Sequence, residues 1–280
     1  MKVGHWVRDR PFLAFCILTF AITWSAWWPM AAYNNGWTDV HLPALYFVGG
    51  LGPGIAAYVV MRILFGSAAD SALLGPLLRW RVGWGWCAVA VLLVPALWVL
   101  SARLTGTLGS ELAALGSLSA VAVSLVQHLL AAVPEEIGWR GFALPALQAR
   151  YSALTSSFIV GLLWAAWHLP LVLGGDPLMS TYPLIPYAVW FLAQAVLYTW
   201  LYNNTGGSLF IAVLLHGLAN FFGSFSTAPF IATALTLALA LTVITAFGAP
   251  NLSKTRPRLT VNGLPGLSGL GSYSLRRSRS

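Results

Sequence analysis

Acidic residues are scarce in this chain: seven Asp and Glu in 280 positions, against 15 Lys and Arg. Charge of both signs together makes up 8% of the residues, where soluble domains carry roughly 25%. That shortage excludes a soluble globular domain, whose surface needs far more polar side chains. Cysteine is scarce too. Cys16 and Cys87 fall within or at the edge of apolar runs, so neither a disulfide framework nor a thiolate metal site is readable. Long polar segments are lacking, which leaves no room for a separate soluble domain. Internal repeats and the paired interrupted helices of many transporters are lacking as well.

What fills the chain is hydrophobic sequence: 58% of residues, 14 Trp and a mean hydropathy of +0.77. Apolar stretches near twenty residues recur throughout, each about long enough to cross a bilayer as a helix. The fold class is therefore an all-α polytopic transmembrane helix bundle. Eight spans are predicted: Phe12–Ala32, Pro43–Phe65, Trp84–Ala102, Leu118–Gln148, Leu154–Leu173, Leu184–Tyr202, Ser208–Phe225 and Pro229–Phe247. The first follows Lys2, Arg8 and Arg10. Its apolar run exceeds the roughly 7–15 residues of a signal-peptide core, so it reads as a retained helix.

Basic residues set the expected orientation. With the N-terminus in the cytoplasm and strict alternation, every Lys and Arg except Arg103 falls on or toward the inner side. That is a strong positive-inside pattern. Both termini are expected to be cytoplasmic, and the net charge of +8 reports topology and contact with anionic lipid. No nucleic-acid partner is called for. Residues 66–83 read as an interfacial segment with Arg79, Trp80 and Arg81 at headgroup level. Two regions result, a transmembrane domain over 1–250 and a basic tail over 251–280. The tail is rich in Ser, Gly, Pro and Arg and is expected to be disordered. Asn203-Asn204-Thr205 matches a glycosylation sequon, but the topology puts it inside.

Ionisable residues within the spans are expensive in a bilayer, on the order of 2.5–3.5 kcal/mol each on insertion scales, and most serve a function. Here they are His128, Glu135, Glu136, Arg140, His168 and His216, on the fourth, fifth and seventh spans. Glu136 and Arg140 are four apart on one helix face and can pair. Glu135 lies about 100° around the helix from Glu136 and is poorly placed to share that arginine. One acid is then neutralised structurally and its neighbour left free to act as a base; the alternative is a purely structural ion network of all three. Trp164 and His168, and likewise His216 and Asn220, are four apart. The connection at 149–152 folds the fourth and fifth spans into a hairpin. Glu135 lies 16 residues before Tyr151 and His168 lies 17 after it, so the two are expected at one level, about 24 Å from the turn. His216 is expected several ångströms shallower. His128, two turns before Glu135, reads as structural.

These pieces together, EEIGWR at 135–140, WAAWH at 164–168 and HGLAN at 216–220, resemble the CaaX protease and bacteriocin-processing (Abi) family of intramembrane proteases. Its signature is EExxxR, FxxxH and HxxxN/D on successive spans. The resemblance runs from about Pro134 to Asn220, and Trp164 stands where the family usually has Phe. It implies an intramembrane endopeptidase acting on a membrane-associated peptide or protein, in a bacterial plasma membrane. Glu135, His168, His216 and Asn220 would be catalytic, with Glu136, Arg140 and Trp164 supporting. In that reading Glu135 takes a proton from water that His168 helps to hold. His216 and Asn220 face the scissile carbonyl, and Trp164 packs beside His168. Glu135, His168 and His216 also make a zinc triad in principle, and the family is often labelled metalloprotease. There is no HExxH helix, however, and Glu135 could not be both tight ligand and free base. A metal-independent glutamate mechanism is favoured. A non-catalytic membrane protein of the same fold, such as an immunity factor or scaffold, is the alternative.

Overall fold

The computed structural model describes residues 2–176, 179–181 and 183–264. Among them there is no strand. Seven helices are long and apolar enough to cross a membrane. They are α1 (Pro11–Asn34), α2 (Ala44–Phe65), α3 (Trp84–Thr105), α4 (Leu118–Gln148), α5 (Ala153–Leu173), α6 (Leu184–Asn204) and, last in the chain, α8 (Pro229–Phe247). The remaining expected span is the shorter α7 (Leu209–Gly223). It is 15 residues long, and its N-cap Ser208 is buried, as are Asn204 and Thr205 at the end of α6. The multi-pass bundle thus has the helices that hydropathy indicates, one of them short.

Local chemistry sets the helix starts. Ser117, Ser152 and Ser208 each cap the helix that follows, accepting from the amides of Ala120, Thr155 and Ile211. Such caps satisfy donors that a helix cannot satisfy itself. Proline and glycine set the interruptions. α2 breaks at Leu51, ahead of Pro53. α5 breaks at His168, whose ψ of −3° precedes Pro170, a residue with no amide to continue the ladder. α4 contains Pro134 and then a π-helical turn, Trp139–Ala143. Such turns are frequent at functional sites.

Small residues set how closely helices approach, as in membrane bundles generally. A Cβ on Gly138 would lie 2.4 Å from Pro53, and one on Gly217 would lie 2.6 Å from Leu129. α4 is thereby pressed against α2 on one side and α7 on the other. α5 packs mainly on α6, and α6 on α8. Aromatic side chains lock α1 to α5: Trp167 donates from Nε1 to Thr23 Oγ1 at 2.6 Å, and Trp24 donates to the Trp167 carbonyl at 3.1 Å.

The C-terminal segment departs from expectation. Residues 251–264 belong to the folded unit, with Leu252 and Leu264 buried. The amides of Ala153 and Leu154, at the start of α5, donate to the carbonyls of Pro250 and Ala249. Asn203 donates to Gln148 Oε1 and to the Asn251 carbonyl, both at 2.8 Å, and Asn204 donates to the Leu252 carbonyl. Arg258 Nε donates to the Gln148 carbonyl at 2.8 Å. The low-hydropathy composition suggests a disordered tail, but its carbonyls are the partners of side-chain amides of Gln148, Asn203 and Asn204. Residues 265–280, the rest of the expected tail, lie outside the described residues. The segment 66–83 is also more integrated than an interfacial strip. Ala69, Ala72 and Leu73 are buried, and Arg79 donates to the Gly206 carbonyl. Trp80 is exposed, with the Arg81 guanidinium 4.8 Å from its ring.

Candidate active site

α4 supplies the acids, and its π-helical turn follows them directly. Glu136 and Arg140 are fully buried and pair at 2.8 Å. The Arg140 guanidinium lies between two aromatic faces, 4.7 Å from Trp164 and 4.3 Å from Tyr198. Its Nε and Nη2 have no hydrogen-bond partner among the described residues. Cation–π attraction to two rings stands in for the missing acceptors. Glu135, one position earlier, points elsewhere. Its Oε2 accepts a 2.8 Å hydrogen bond from Trp164 Nε1, and His216 Nε2 is 3.9 Å away. The separation of the two acids therefore stands, with one qualification: the second acid is bonded to an indole rather than left free.

α7 brings His216 into this group. Its Nδ1 donates to Glu136 Oε1 at 2.7 Å, so Glu136 serves Arg140 and His216 through one oxygen. A neutral ring with Nδ1 donating leaves Nε2 as an acceptor on the side of Glu135. The expected depth mismatch for His216 is absent. Asn220, one turn further along, is half-buried, and no hydrogen bond to its side chain occurs among the described residues.

α5 brings Trp164 and His168. Trp164 is the α5 residue bonded to Glu135, where counting from the turn matched Glu135 with His168. The π-helical turn between Glu135 and the connection moves that count toward Trp164 by about one residue of the four. His168 is buried and donates from Nδ1 to the Trp164 carbonyl at 3.0 Å. Its ring lies against Trp27, Trp167 and Phe191, with centroids 5.7, 4.5 and 5.0 Å away. His128 does not join the group. It bonds within its own helix, Nδ1 to the Ser124 carbonyl at 2.7 Å, and meets Phe221 edge-on.

Three aromatic residues of α6 complete the walls. Tyr187 donates to the Ala165 carbonyl at 3.0 Å, Phe191 packs edge-on against Trp164, and Tyr198 lies against both Arg140 and His216. Sequence reasoning left α6 out because it carries no Asp, Glu, His, Lys or Arg. The available signal was spacing: 187, 191 and 198 fall on one helical face.

Among the described residues no three His, Cys, Asp or Glu side chains converge as a ligand group. The Nδ1 atoms of both histidines meet protein oxygens, which leaves Nε2 as the open nitrogen of each ring. What does converge is a carboxylate held by an indole, a histidine held by a second carboxylate, and a ring of aromatic side chains around them.

Residues 116–222 match the family described as Type II CAAX prenyl endopeptidase Rce1-like, a stretch containing α4, α5, α6 and nearly all of α7. The chain is also similar to CAAX prenyl protease 2 of Methanococcus maripaludis, 26% identical over 232 residues, which is 76% of this chain and 83% of that protein. Three motifs whose side chains meet in one buried cluster lie inside a helical bundle and within the matched stretch, and there the chain is similar to the Type II CAAX prenyl endopeptidase Rce1-like family of intramembrane proteases.

Proposed function

We propose that the chain hydrolyses a peptide bond of a membrane-associated protein with water activated by Glu135. The observation that carries this is the unequal treatment of the two adjacent acids. Glu136 is engaged by Arg140 and His216. Glu135 has an indole donor on Oε2 alone and retains 7% exposure. A carboxylate so placed is the available base; a neutral histidine donating through Nδ1 offers Nε2 as acceptor to the same water.

The steps balance without another reactant. Glu135 takes one proton from water while the water oxygen bonds to the scissile carbonyl carbon. Negative charge moves to the carbonyl oxygen, where the Asn220 amide donates. The C–N bond then breaks, and Glu135 returns its proton to the departing amine. His168, its ring fixed by Trp27, Trp167 and Phe191, holds the water. Aromatic walls exclude bulk solvent, which strengthens every charge interaction inside. No step requires zinc, and the metal-independent route is the one proposed. The inner face toward the cytoplasm and anionic lipid, with both termini on that side, follows from the basic residues. The substrate class is a membrane-associated peptide, and a prenylated CaaX peptide is the first to assay, given the relative's name.

Comparative proteomics of new peptide termini, wild type against Glu135→Gln, tests this reading. Termini present only with the wild type are expected, with the variant folded and inserted. General bases contribute about 10²–10⁴-fold, so near-normal turnover by Glu135→Gln would remove Glu135 from that role.

A further inference from the structure

Trp164 touches four members of the cluster, Glu135, Arg140, His168 and His216. Its Nε1 donates to Glu135 Oε2, its ring lies 4.7 Å from the Arg140 guanidinium and 5.2 Å from the His216 ring, and its carbonyl accepts from His168 Nδ1. It is 3% exposed and held edge-on by Phe191 at 4.9 Å and Tyr198 at 5.6 Å. Such a ring cannot turn without disturbing three neighbours. A phenylalanine at this position would supply the packing but no donor. The indole adds one directed N–H, and that N–H points at one oxygen of one carboxylate. Oε1 of Glu135 receives no hydrogen bond from any described residue.

We propose that Trp164 is a positioning residue whose indole N–H anchors Oε2 of Glu135, leaving Oε1 as the oxygen that takes the proton from water. This rests on the base assignment of Glu135 made above. The anchor fixes the carboxylate plane. A buried carboxylate with no donor would rotate about its last torsion, which is broad and nearly two-fold, and would present either oxygen at a range of angles. Holding Oε2 turns that freedom into a single direction of proton transfer, a gain in orientation rather than in binding.

Two variants and one spectrum test it. In protein labelled with ¹⁵N at the indoles, the resonance missing from Trp164→Phe is that of Trp164. It should move in Glu135→Gln, because its acceptor changes from a carboxylate to an amide oxygen. Site-specific replacement of Trp164 by 3-benzothienylalanine keeps the bicyclic shape and puts sulfur where the N–H was. With a synthetic peptide spanning a cleavage site found by terminal proteomics, kcat of that variant should fall about tenfold to a hundredfold, the size of one hydrogen bond to a charged group. KM and the melting temperature should stay at their wild-type values. An indole resonance indifferent to Glu135→Gln, or a benzothienyl variant with wild-type kcat, overturns the anchor. Full turnover by Glu135→Gln would instead remove the base beneath it, so the two failures are told apart.

Discussion

His216 Nδ1 lies 2.7 Å from Glu136 Oε1, a hydrogen bond between residues 80 positions apart in the chain. The same oxygen receives Arg140 Nη1 at 2.8 Å. Glu136 is thus the joint between α4 and α7, and its charge is balanced by a guanidinium that itself is buried between two rings.

The joint makes Arg140 structural in a measurable way. Arg140→Ala leaves Glu136 buried with a histidine as its remaining partner and removes the filling between Trp164 and Tyr198. Breaking a buried pair by deleting one partner costs about 3–5 kcal/mol. Thermal unfolding in detergent should therefore show a large fall in melting temperature or loss of folded yield. An unchanged melting curve would show that the pair does not hold the helices together.

Metal dependence separates two mechanisms for the same residues. On the proposed route, protein stripped of metal by chelator keeps its activity, and elemental analysis finds no zinc that tracks activity. His168→Ala and His216→Ala then lose turnover with no metal to release. If zinc bridges Glu135, His168 and His216, chelation silences the enzyme, stoichiometric zinc restores it, and each histidine variant releases metal. Near one zinc per active chain would refute the proposed route.

Glu111 sits in the short helix Leu108–Ala114, between α3 and α4, and is buried. Its Oε1 accepts from the Thr227 hydroxyl at 2.6 Å, the Thr227 amide at 3.0 Å and the Thr107 hydroxyl at 2.8 Å. Desolvation raises its pKa, yet the Thr227 and Thr107 hydrogen bonds outweigh it and hold the carboxyl below its ordinary 4.5. A depressed folded value means stabilisation that is complete above the unfolded pKa and is lost as pH falls through the folded one. Below about pH 4.5 the wild-type melting temperature should drop more steeply than that of Glu111→Gln. Parallel curves would show that the latch to the α7–α8 connection contributes nothing.

Topology is open to direct test. Reporter fusions after Gly36, Thr107 and Asp176 should read external, and a fusion after Leu264 should read internal. An external reading at Leu264 would reverse the bundle and with it the side from which the site takes water.

Sequence alone determined the helical spans and the acids, histidines and asparagine worth singling out, because both signals are local. Hydropathy over twenty residues reports the bilayer's thickness, and a charge in an apolar run stands out against its neighbours. The i, i+4 pairing of Glu136 with Arg140 followed from helix geometry alone. Tertiary structure decided which side chains face each other across helices. That Trp164, and not His168, bonds Glu135 depends on how α4 and α5 meet across the hairpin. That His216 reaches Glu136 depends on Gly217 admitting Leu129. Tyr198, which carries no charge in this setting, becomes part of the site only when α6 packs on α5. The segment 251–264 reads as a disordered tail because its composition is polar, yet it folds because the side-chain amides of Gln148, Asn203 and Asn204 need its carbonyls. Local sequence encodes what each segment can do; which donor meets which acceptor is fixed by approach distances of a few ångströms between helices far apart in the chain.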